Sequence, residues 1–336
     1  MSSEPGDRRL RFGVFVPQGW KLEYGGWSAP DAWARSVELA VLAEKLGYDH
    51  IWVYDHTETV PRREHTYVFE PYTMLSALSQ HTEKVKLGQL VTCAAYRNAG
   101  LLAKQAACLD VYSGGRLILG LGAGWYDEEY RSYGWEFPPA GRRLDILDET
   151  LTAVRRLWTE PEVTFDGNHV RLEQAICEPK PLQGLPEIWV GGGGESKTLR
   201  IAARHANATN WQVGLRAFEQ KSRLLEQYCE EIGRPFEDIT RTHGPDCRIF
   251  DSDSEARRWC GQAGGGDLWG GTTVEDYLRD NLVGTVEQVA HKTQAFVDAG
   301  CREFVLWMRD YPSDESIRRF LGEVVPKLEV RTDEHV

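Results

Sequence analysis

The sequence has no long uninterrupted apolar run and little excess of positive charge. Nowhere do about 20 apolar residues follow one another, the length that a membrane-spanning helix needs. The N-terminal MSSEPGDRRL carries charges where a secretory signal would be apolar. The net charge of −12 leaves little positive field for a phosphate backbone. We therefore expect a cytoplasmic protein that binds neither membranes nor nucleic acid.

Cysteine pairs and metal-binding patterns are also missing. The seven cysteines are odd in number, scattered and without a CxxC pair, which argues against a disulfide framework and against a zinc site. No HExxH, EF-hand or Cys/His cluster appears, and no GxSxG marks a nucleophilic serine. We predict reduced thiols and no metal ion.

What the chain does contain is an alternation of short apolar strands and helices. A hydrophobic fraction of 41% over 336 residues suffices for the core of one domain, residues 1–336. Eight buried strands between helices predict an α/β fold, and their number favours a (β/α)8 TIM barrel with loop insertions. A doubly wound sheet is the alternative, but no GxGxxG follows the first strand.

The bounds of these elements follow from apolar periodicity and capping signals. The predicted strands are 11–16, 50–54, 85–92, 116–121, 187–190, 208–211, 246–250 and 303–308. The predicted helices are 31–46, 71–81, 101–112, 142–159, 196–205, 218–232, 286–299 and 314–325.

The segments 17–30, 57–70 and 261–284 are longer than ordinary barrel loops, and 161–184 is a further insertion. Residues 161–184 contain the short β-like pieces VTFDG and HVRLE and predict a hairpin insertion ahead of the fifth strand. Residues 261–284 contain AGGGDLWGGTT, in which glycines flank Trp269. This pattern suits a mobile lid with an aromatic tip, and a plain surface insertion is an equal alternative.

Residues 85–126 form one complete βαβ unit by pattern. A β-branched run, a helix stopped by SGG and a second buried strand follow in order. The first strand ends at Thr92 and Cys93, and the second ends in the glycine-rich GLGAG at 120–124. Because parallel α/β folds place ligand sites at the carboxyl ends of their strands, we expect a site at this edge.

This unit resembles the bacterial-luciferase-like superfamily of flavin and deazaflavin oxidoreductases, in particular its branch that uses the deazaflavin coenzyme F420. The resemblance extends over nearly the whole chain. It implies a barrel with inserted segments and a redox coenzyme at the carboxyl ends of the strands. The segments that carry it, besides 85–126, are RFGVFVPQ at 11–18, LGYDHIWVYDH at 46–56, PEIWVGGGGESKTLRIAA at 186–203, GTVEQVAHKTQAFVDAGCREFVL at 284–306 and VVPKL at 324–328.

Asp55 and His56 directly follow the second predicted strand. Their position places them on the catalytic face of a barrel, although a strand-end pair of this kind could also cap a loop. The resemblance implies that His56 lies over the reactive ring and handles the proton that accompanies hydride transfer. An imidazole suits that task because it titrates near neutral pH. Asp55 would contact the ring system or orient its neighbours.

Several other residues are candidates for holding the coenzyme. The glycine loop GGGGESKT at 191–198 precedes a helix and offers backbone N–H groups to a phosphodiester, although glycine clusters also occur where packing is close. The resemblance implies a non-proline cis peptide at Leu90–Val91 behind the ring. The remaining strand-end residues could contact the coenzyme or serve only as strand ends and helix caps. The predicted coenzyme-binding set is Leu90, Val91, Thr92, Cys93, Arg97, Asn98, Gly122, Gly124, Gly191, Gly192, Gly193, Gly194, Glu195 and Ser196.

Aromatic loop residues are candidates for the substrate side of the pocket. Trp20, Trp125, Tyr126 and Trp269 could line an aromatic cleft. Relatives that oxidise glucose 6-phosphate have a catalytic glutamate where this chain has Trp125. The departure argues against that reaction here.

The predicted function is therefore hydride transfer between the deazaflavin C5 of coenzyme F420 (F420H2 when reduced) and an organic substrate, in the direction that reduces a C=C or C=N bond. The substrate would be a small molecule or a bulky metabolite. One alternative is an FMN-dependent monooxygenase of the same fold, and another is a non-catalytic flavin-binding barrel. A homodimer stays open as the oligomeric state.

Overall fold

The computed structural model describes residues 9–60, 62–263 and 272–329. Strands and helices alternate through most of this range. In chain order the elements are β1 Arg11–Phe15, α1 Ala29–Leu46, β2 His50–Val53, α2 Pro71–Leu78, β3 Lys86–Gln89, β4 Thr92–Cys93, α3 Ala99–Tyr112, β5 Leu117–Gly122, α4 Asp127–Ser132, α5 Ala140–Thr159, β6 Val163–Asp166, β7 Arg171–Ala175, β8 Glu187–Gly191, α6 Lys197–His205, β9 Ala208–Trp211, α7 Leu215–Glu231, β10 Thr240–His243, β11 Asp246–Phe250, α8 Asp253–Ala263, α9 Val274–Asp280, β12 Leu282–Thr285, α10 Val286–Asp298, β13 Glu303–Met308 and α11 Glu315–Arg319.

Eight strands close into a parallel barrel. Their order is β1, β2, β3, β5, β8, β9, β10 and β13, and β13 pairs with β1 to complete the ring. Each pair in this ring is parallel, so every barrel strand ends at the same rim. The predicted (β/α)8 barrel is confirmed, and its rim positions the site.

The seventh barrel strand differs from the prediction. The segment 246–250, predicted as a barrel strand, is β11, whereas the strand that closes the ring between β9 and β13 is β10. Gly244 and Pro245 separate β10 from β11. Strand β11 pairs with β13 on one side and with the additional strand β12 on the other. The sequence of β10 is TRTH, which contains no apolar run by which a buried strand is recognised.

Two helical segments also depart from the predicted bounds. The predicted helix 314–325 is not one continuous α-helix. The α-helix α11 ends at Arg319, and a π-helical turn over Phe320–Val324 and a 3-10 turn over Val325–Lys327 follow it. The short helix α4 lies directly after the GLGAGWY segment and has no predicted counterpart. Within residues 161–184, β6 and β7 pair antiparallel as a two-stranded sheet.

Large aromatic rings fill the barrel interior. Trp52 and Trp189 are fully buried, with ring centroids 4.6 Å apart. Gly13 and Gly88 lie where a β-carbon would overlap the rings of His50 and Trp52, so their missing side chains make room for these rings. Among the described residues, no helix is both long enough and apolar enough to cross a membrane.

Candidate active site

A cavity of about 660 Å³ opens at the carboxyl rim of the barrel. The residues that follow β2, those between β3 and β4, and the last residue of β8 all reach it. Twelve of the predicted site residues line it, namely Trp20, Asp55, His56, Leu90, Val91, Cys93, Gly124, Trp125, Tyr126, Gly191, Gly192 and Gly193. Residues from five separate parts of the chain thus meet in one place, as the common rim of parallel strands requires.

Asp55 is buried in the cavity wall and only half of its carboxylate is paired. Its Oδ2 accepts hydrogen bonds from the Cys93 backbone N–H at 2.7 Å and from Arg97 Nη1 at 2.6 Å. Its Oδ1 is buried and has no partner among the described residues. A buried carboxylate oxygen without a donor is costly, so this atom is a natural acceptor for a ligand N–H or O–H.

Arg97 lies behind the site rather than in it. It links Asp55 to Glu70, whose Oε1 accepts from Arg97 Nη2 at 3.1 Å. Burial alone would lower the pKa of the guanidinium, but the adjacent Asp55 carboxylate raises it above the usual range. Asn98 also lies outside the cavity, since its side chain accepts from the Gly100 and Leu101 N–H groups and caps α3. The cap interpretation of Asn98 therefore holds in the structure.

His56 presents one ring nitrogen to the protein and leaves the other without a protein partner. Its Nδ1 lies 2.7 Å from Glu129 Oε2. Its ring stacks on Trp20, with centroids 4.2 Å apart and planes 3° from parallel. Within the described ranges, Nε2 has no hydrogen-bond partner, and the residue lines the cavity. The imidazole is therefore held in place by one bond and one stacked ring.

Glu129, in α4, is a site residue that no sequence pattern predicts. It is fully buried, and its carboxylate also accepts from the backbone N–H groups of Thr57 and Glu58 and from the Tyr96 hydroxyl. Burial alone would raise the pKa of Glu129, but the bonds from His56 and the two backbone groups hold it below the usual range. His56 and Glu129 are 73 positions apart in the sequence, which explains why no local spacing reveals the pair.

The back wall of the cavity forms where β3 gives way to β4. The Leu90–Val91 peptide bond is cis, as the resemblance implies. Val91 packs against two glycines of neighbouring strands: a β-carbon at Gly191 would lie 2.6 Å from its Cγ1, and one at Gly122 would overlap its Cγ2. Gly122 itself does not line the cavity. Thr92 is fully buried behind the wall, where its hydroxyl donates to Gln89 Oε1 at 2.5 Å.

We expect Gly122→Ala to destabilise the fold by about 1–3 kcal/mol, because the added methyl group overpacks against Val91. Thermal or urea unfolding measures the loss, and adding Val91→Ala should recover part of it. Gly141→Ala is the matched control, since a β-carbon there, in α5, meets no atom within 4 Å. Equal stability of the Gly122 variant and the native protein would contradict this packing argument.

Cys93 lies beside the cavity as a neutral thiol. Burial raises the pKa of Cys93 to about 12, and its Sγ lies 3.0 Å from the Tyr130 hydroxyl. Gly124 has a φ of 74° and sits against both groups, so a side chain there would be strained as well as crowded. The segment after β5 is therefore closely packed against Cys93 and Tyr130.

The glycine loop contributes three of its members to the cavity. Gly193 faces open space, since a β-carbon there meets no atom within 4 Å, and its carbonyl accepts from Lys221 Nζ at 2.6 Å. Gly194 instead packs on the Thr198 side chain. Neither Glu195, which lies 3.5 Å from Lys221 Nζ, nor Ser196 lines the cavity. The loop therefore combines a spacious backbone surface with a nearby ammonium group.

The other lining residues of the cavity are largely aromatic and acidic. Trp125 and Tyr126 stand at its mouth, and Trp125 is 53% exposed. The predicted Trp269 lies outside the described residues, as does part of the predicted 261–284 lid. Lining residues that the sequence does not single out include Tyr54, Asn210, Gln212, Asp246, Asp276, Tyr277, Asp280 and Trp307.

Asp246 is a buried acid among the lining residues. Its Oδ2 accepts from the Tyr277 hydroxyl at 2.6 Å, with Arg309 Nη1 at 3.8 Å, whereas its Oδ1 has no described partner. Among the described residues, no group of three or more His, Cys, Asp or Glu side chains is arranged to hold a metal ion.

Comparison with known families identifies the family of the chain. The model of the luciferase-like monooxygenase family matches residues 10–303. The chain belongs to that family. The match runs from the residue before β1 to the first residue of β13, so it includes the other seven barrel strands and every described lining residue of the cavity except Trp307.

The curated proteins that are similar in sequence to this luciferase-like chain include F420-dependent enzymes. An F420-dependent glucose-6-phosphate dehydrogenase of Intrasporangium calvum is 35% identical over 194 residues, which are 56% of this chain and 54% of that enzyme. This chain spans only 47–64% of the length of the curated relatives that it matches.

Solved structures share the luciferase-like fold at lower identity. An F420-dependent secondary alcohol dehydrogenase, in complex with an F420–acetone adduct, superposes with a TM-score of 0.79 at 22% identity, covering 96% of this chain and 100% of that one. The oxygenating constituent of 3,6-diketocamphane monooxygenase from Pseudomonas putida, in complex with FMN, gives 0.74 at 21% identity, with coverages of 96% and 100%. At these identities the likeness shows the fold alone.

Proposed function

We propose that this protein is an F420-dependent oxidoreductase that transfers a hydride between the deazaflavin C5 and an organic substrate. One observation carries the proposal: Asp55 Oδ1 and His56 Nε2, both without a described protein partner, belong to the same cavity at the barrel rim. The cavity is large enough for a flat ring system with a substrate beside it. The F420-dependent relatives support the choice of coenzyme.

The residues present fit the coenzyme at both of its ends. Asp55 Oδ1 would accept from the deazaflavin ring, and Leu90 and Val91 would form the wall behind it. The open backbone at Gly193, with Lys221 close by, would receive the phosphodiester. When bound, the coenzyme supplies a hydride donor or acceptor at its C5.

His56 would hold or release the proton that balances the hydride. Hydride addition to one atom of a double bond leaves charge on the other, and a donor within reach lowers that barrier. Stacking of the His56 imidazole on Trp20 holds the imidazole in the cavity wall. Trp20 and, at 6.0 Å and 6.1 Å between ring centroids, Trp125 and Tyr126 surround the imidazole with aromatic rings.

For the substrate we propose a bulky, largely apolar metabolite whose C=C or C=N bond is reduced. Among the described residues that line the cavity there is no lysine or arginine to bind a sugar phosphate. Lys21 and Arg309 pack against the rings of Trp20 and Trp307 without joining the lining. The aromatic walls instead favour stacking of an unsaturated ring.

An FMN-dependent monooxygenase is the second candidate, because the FMN complex of similar fold shows that such a barrel accommodates that coenzyme too. A non-catalytic flavin-binding barrel is the third. The pairing of His56 with Glu129 favours an enzyme over this third candidate, since a binding-only site has no need of an oriented imidazole.

We expect the protein to bind oxidised F420 more tightly than FMN. Fluorescence or calorimetric titration of the purified protein with each coenzyme measures the preference, and mass spectrometry of the purified protein identifies any coenzyme that it retains. Tighter binding of FMN, accompanied by oxygen consumption once the flavin is reduced, would favour the monooxygenase class instead.

A further inference from the structure

The two oxygens of the Glu129 carboxylate have separate sets of donors. Oε1 accepts from the Thr57 N–H at 2.8 Å and from the Glu58 N–H at 3.0 Å. Oε2 accepts from the Tyr96 hydroxyl at 3.0 Å and faces His56 Nδ1 at 2.7 Å. The backbone donors are fixed by the loop after β2, so the orientation of the carboxylate is fixed as well.

Glu129 can only accept hydrogen bonds. The bonds from His56 and the backbone keep its pKa below the usual range in spite of burial, so the group is ionised at neutral pH. A carboxylate has no hydrogen to donate. The short contact to Nδ1 therefore requires that this nitrogen carries a hydrogen.

The other groups around His56 do not compete for its nitrogens. Trp20, Trp125 and Tyr126 present their rings to the imidazole. The Tyr126 hydroxyl donates to Glu128, and the neighbouring Asp55 carboxylate is paired with Arg97. Lys21 lies over the Trp20 ring, 4.1 Å from its centroid.

We infer that Glu129 is a positioning residue that holds neutral His56 as the Nδ1–H tautomer, so that Nε2 presents its lone pair to the cavity. In this form Nε2 accepts a proton from a ligand and returns it as the imidazolium. The catalytic consequence rests on the proposed function; the tautomer does not. Tyr96 assists by bonding the same carboxylate oxygen, which leaves Oε2 no freedom to turn away from the imidazole.

Glu129→Gln should invert the tautomer. Because two backbone N–H groups point at the Oε1 position, the new amide must place its carbonyl oxygen there. Its NH2 group then takes the Oε2 position and donates to Nδ1. His56 is driven to carry its hydrogen on Nε2, where the cavity needs a lone pair.

Nitrogen-15 NMR of the coenzyme-free protein tests this directly. With labelled histidine at about pH 9, above the ordinary range in which imidazoles titrate, the two ring nitrogens report the tautomer. His56→Asn identifies the signal by its loss. We expect Nδ1–H in the native protein and in Glu128→Gln, a neighbouring change of equal charge, and Nε2–H in Glu129→Gln. An Nε2–H tautomer in the native protein, or an unchanged tautomer in Glu129→Gln, would overturn the inference.

Tyr96→Phe keeps the experiment decisive if Glu129→Gln does not fold. This variant removes one donor but leaves the carboxylate ionised, so the Nδ1–H tautomer should persist. Loss of the Nδ1–H tautomer in Tyr96→Phe would show that Glu129 alone does not set the tautomer.

Turnover and coenzyme binding separate the role of Glu129 from the proposed function. With a substrate in hand, Glu129→Gln should lower kcat at least about tenfold with little change in KM. Failure of F420 to bind, with the expected tautomer present, would contradict the proposed function and leave the role of Glu129 intact.

Discussion

His56→Asn is expected to lower turnover by roughly 10²-fold or more while leaving coenzyme affinity nearly unchanged. The asparagine amide nitrogen occupies nearly the place of Nδ1, so it can still donate to Glu129 Oε2 and keep the buried carboxylate satisfied. What the variant lacks is the second nitrogen, Nε2, which alone of the two is without a described protein partner. Steady-state kinetics and coenzyme titration measure the two quantities separately.

Two outcomes would contradict this assignment. Near-normal turnover with the true substrate would mean that the proton comes from another group or from water. A loss of coenzyme binding with unchanged turnover at saturation would make His56 a binding residue. The melting temperature of the His56→Asn variant serves as the control for folding. A large drop would show that the buried Glu129 carboxylate has lost its hydrogen-bond partner.

Gly193→Asp is expected to weaken coenzyme binding by at least an order of magnitude, about 1.4 kcal/mol. The added carboxylate lies at the open backbone surface proposed for the phosphodiester, where it repels an anion and also competes for Lys221. Folding should be little affected, because a β-carbon at this position meets no atom within 4 Å.

Gly193→Asn is the matched control for size. It adds the same number of heavy atoms without the charge, so a larger effect of aspartate than of asparagine isolates the electrostatic part. Titration at two salt concentrations adds a second check, since screening should narrow the difference between the two variants. Equal affinity of the native protein and the aspartate variant would show that the anion binds elsewhere.

Most of the barrel follows from local patterns in the sequence. The strands 208–211 and 303–308 have the predicted bounds, because buried parallel strands are short runs that side-chain periodicity reveals. β10 escapes prediction for the same reason: Thr240, Arg241, Thr242 and His243 form no apolar run, although the last two are fully buried between β9 and β13.

The rim of the barrel also follows from sequence, since residues after parallel strands share one edge. That rule brings Asp55, His56, Leu90, Val91 and Gly191 to one cavity, as expected. Which side chains take part in chemistry stays a prediction. The rule also includes neighbours that the structure puts to other uses, such as Asn98, which caps α3, and Thr92, which is buried behind the wall.

By itself, then, the sequence determined the alternation of strands and helices, the luciferase-like resemblance and the set of residues at the rim. Only the tertiary structure decided the partners, Glu129 against His56 and Arg97 against Asp55, and brought Asp246 into the wall of the cavity. The physical reason is that periodicity records which face of an element is buried, whereas a hydrogen bond between residues 73 positions apart depends on how separate elements pack.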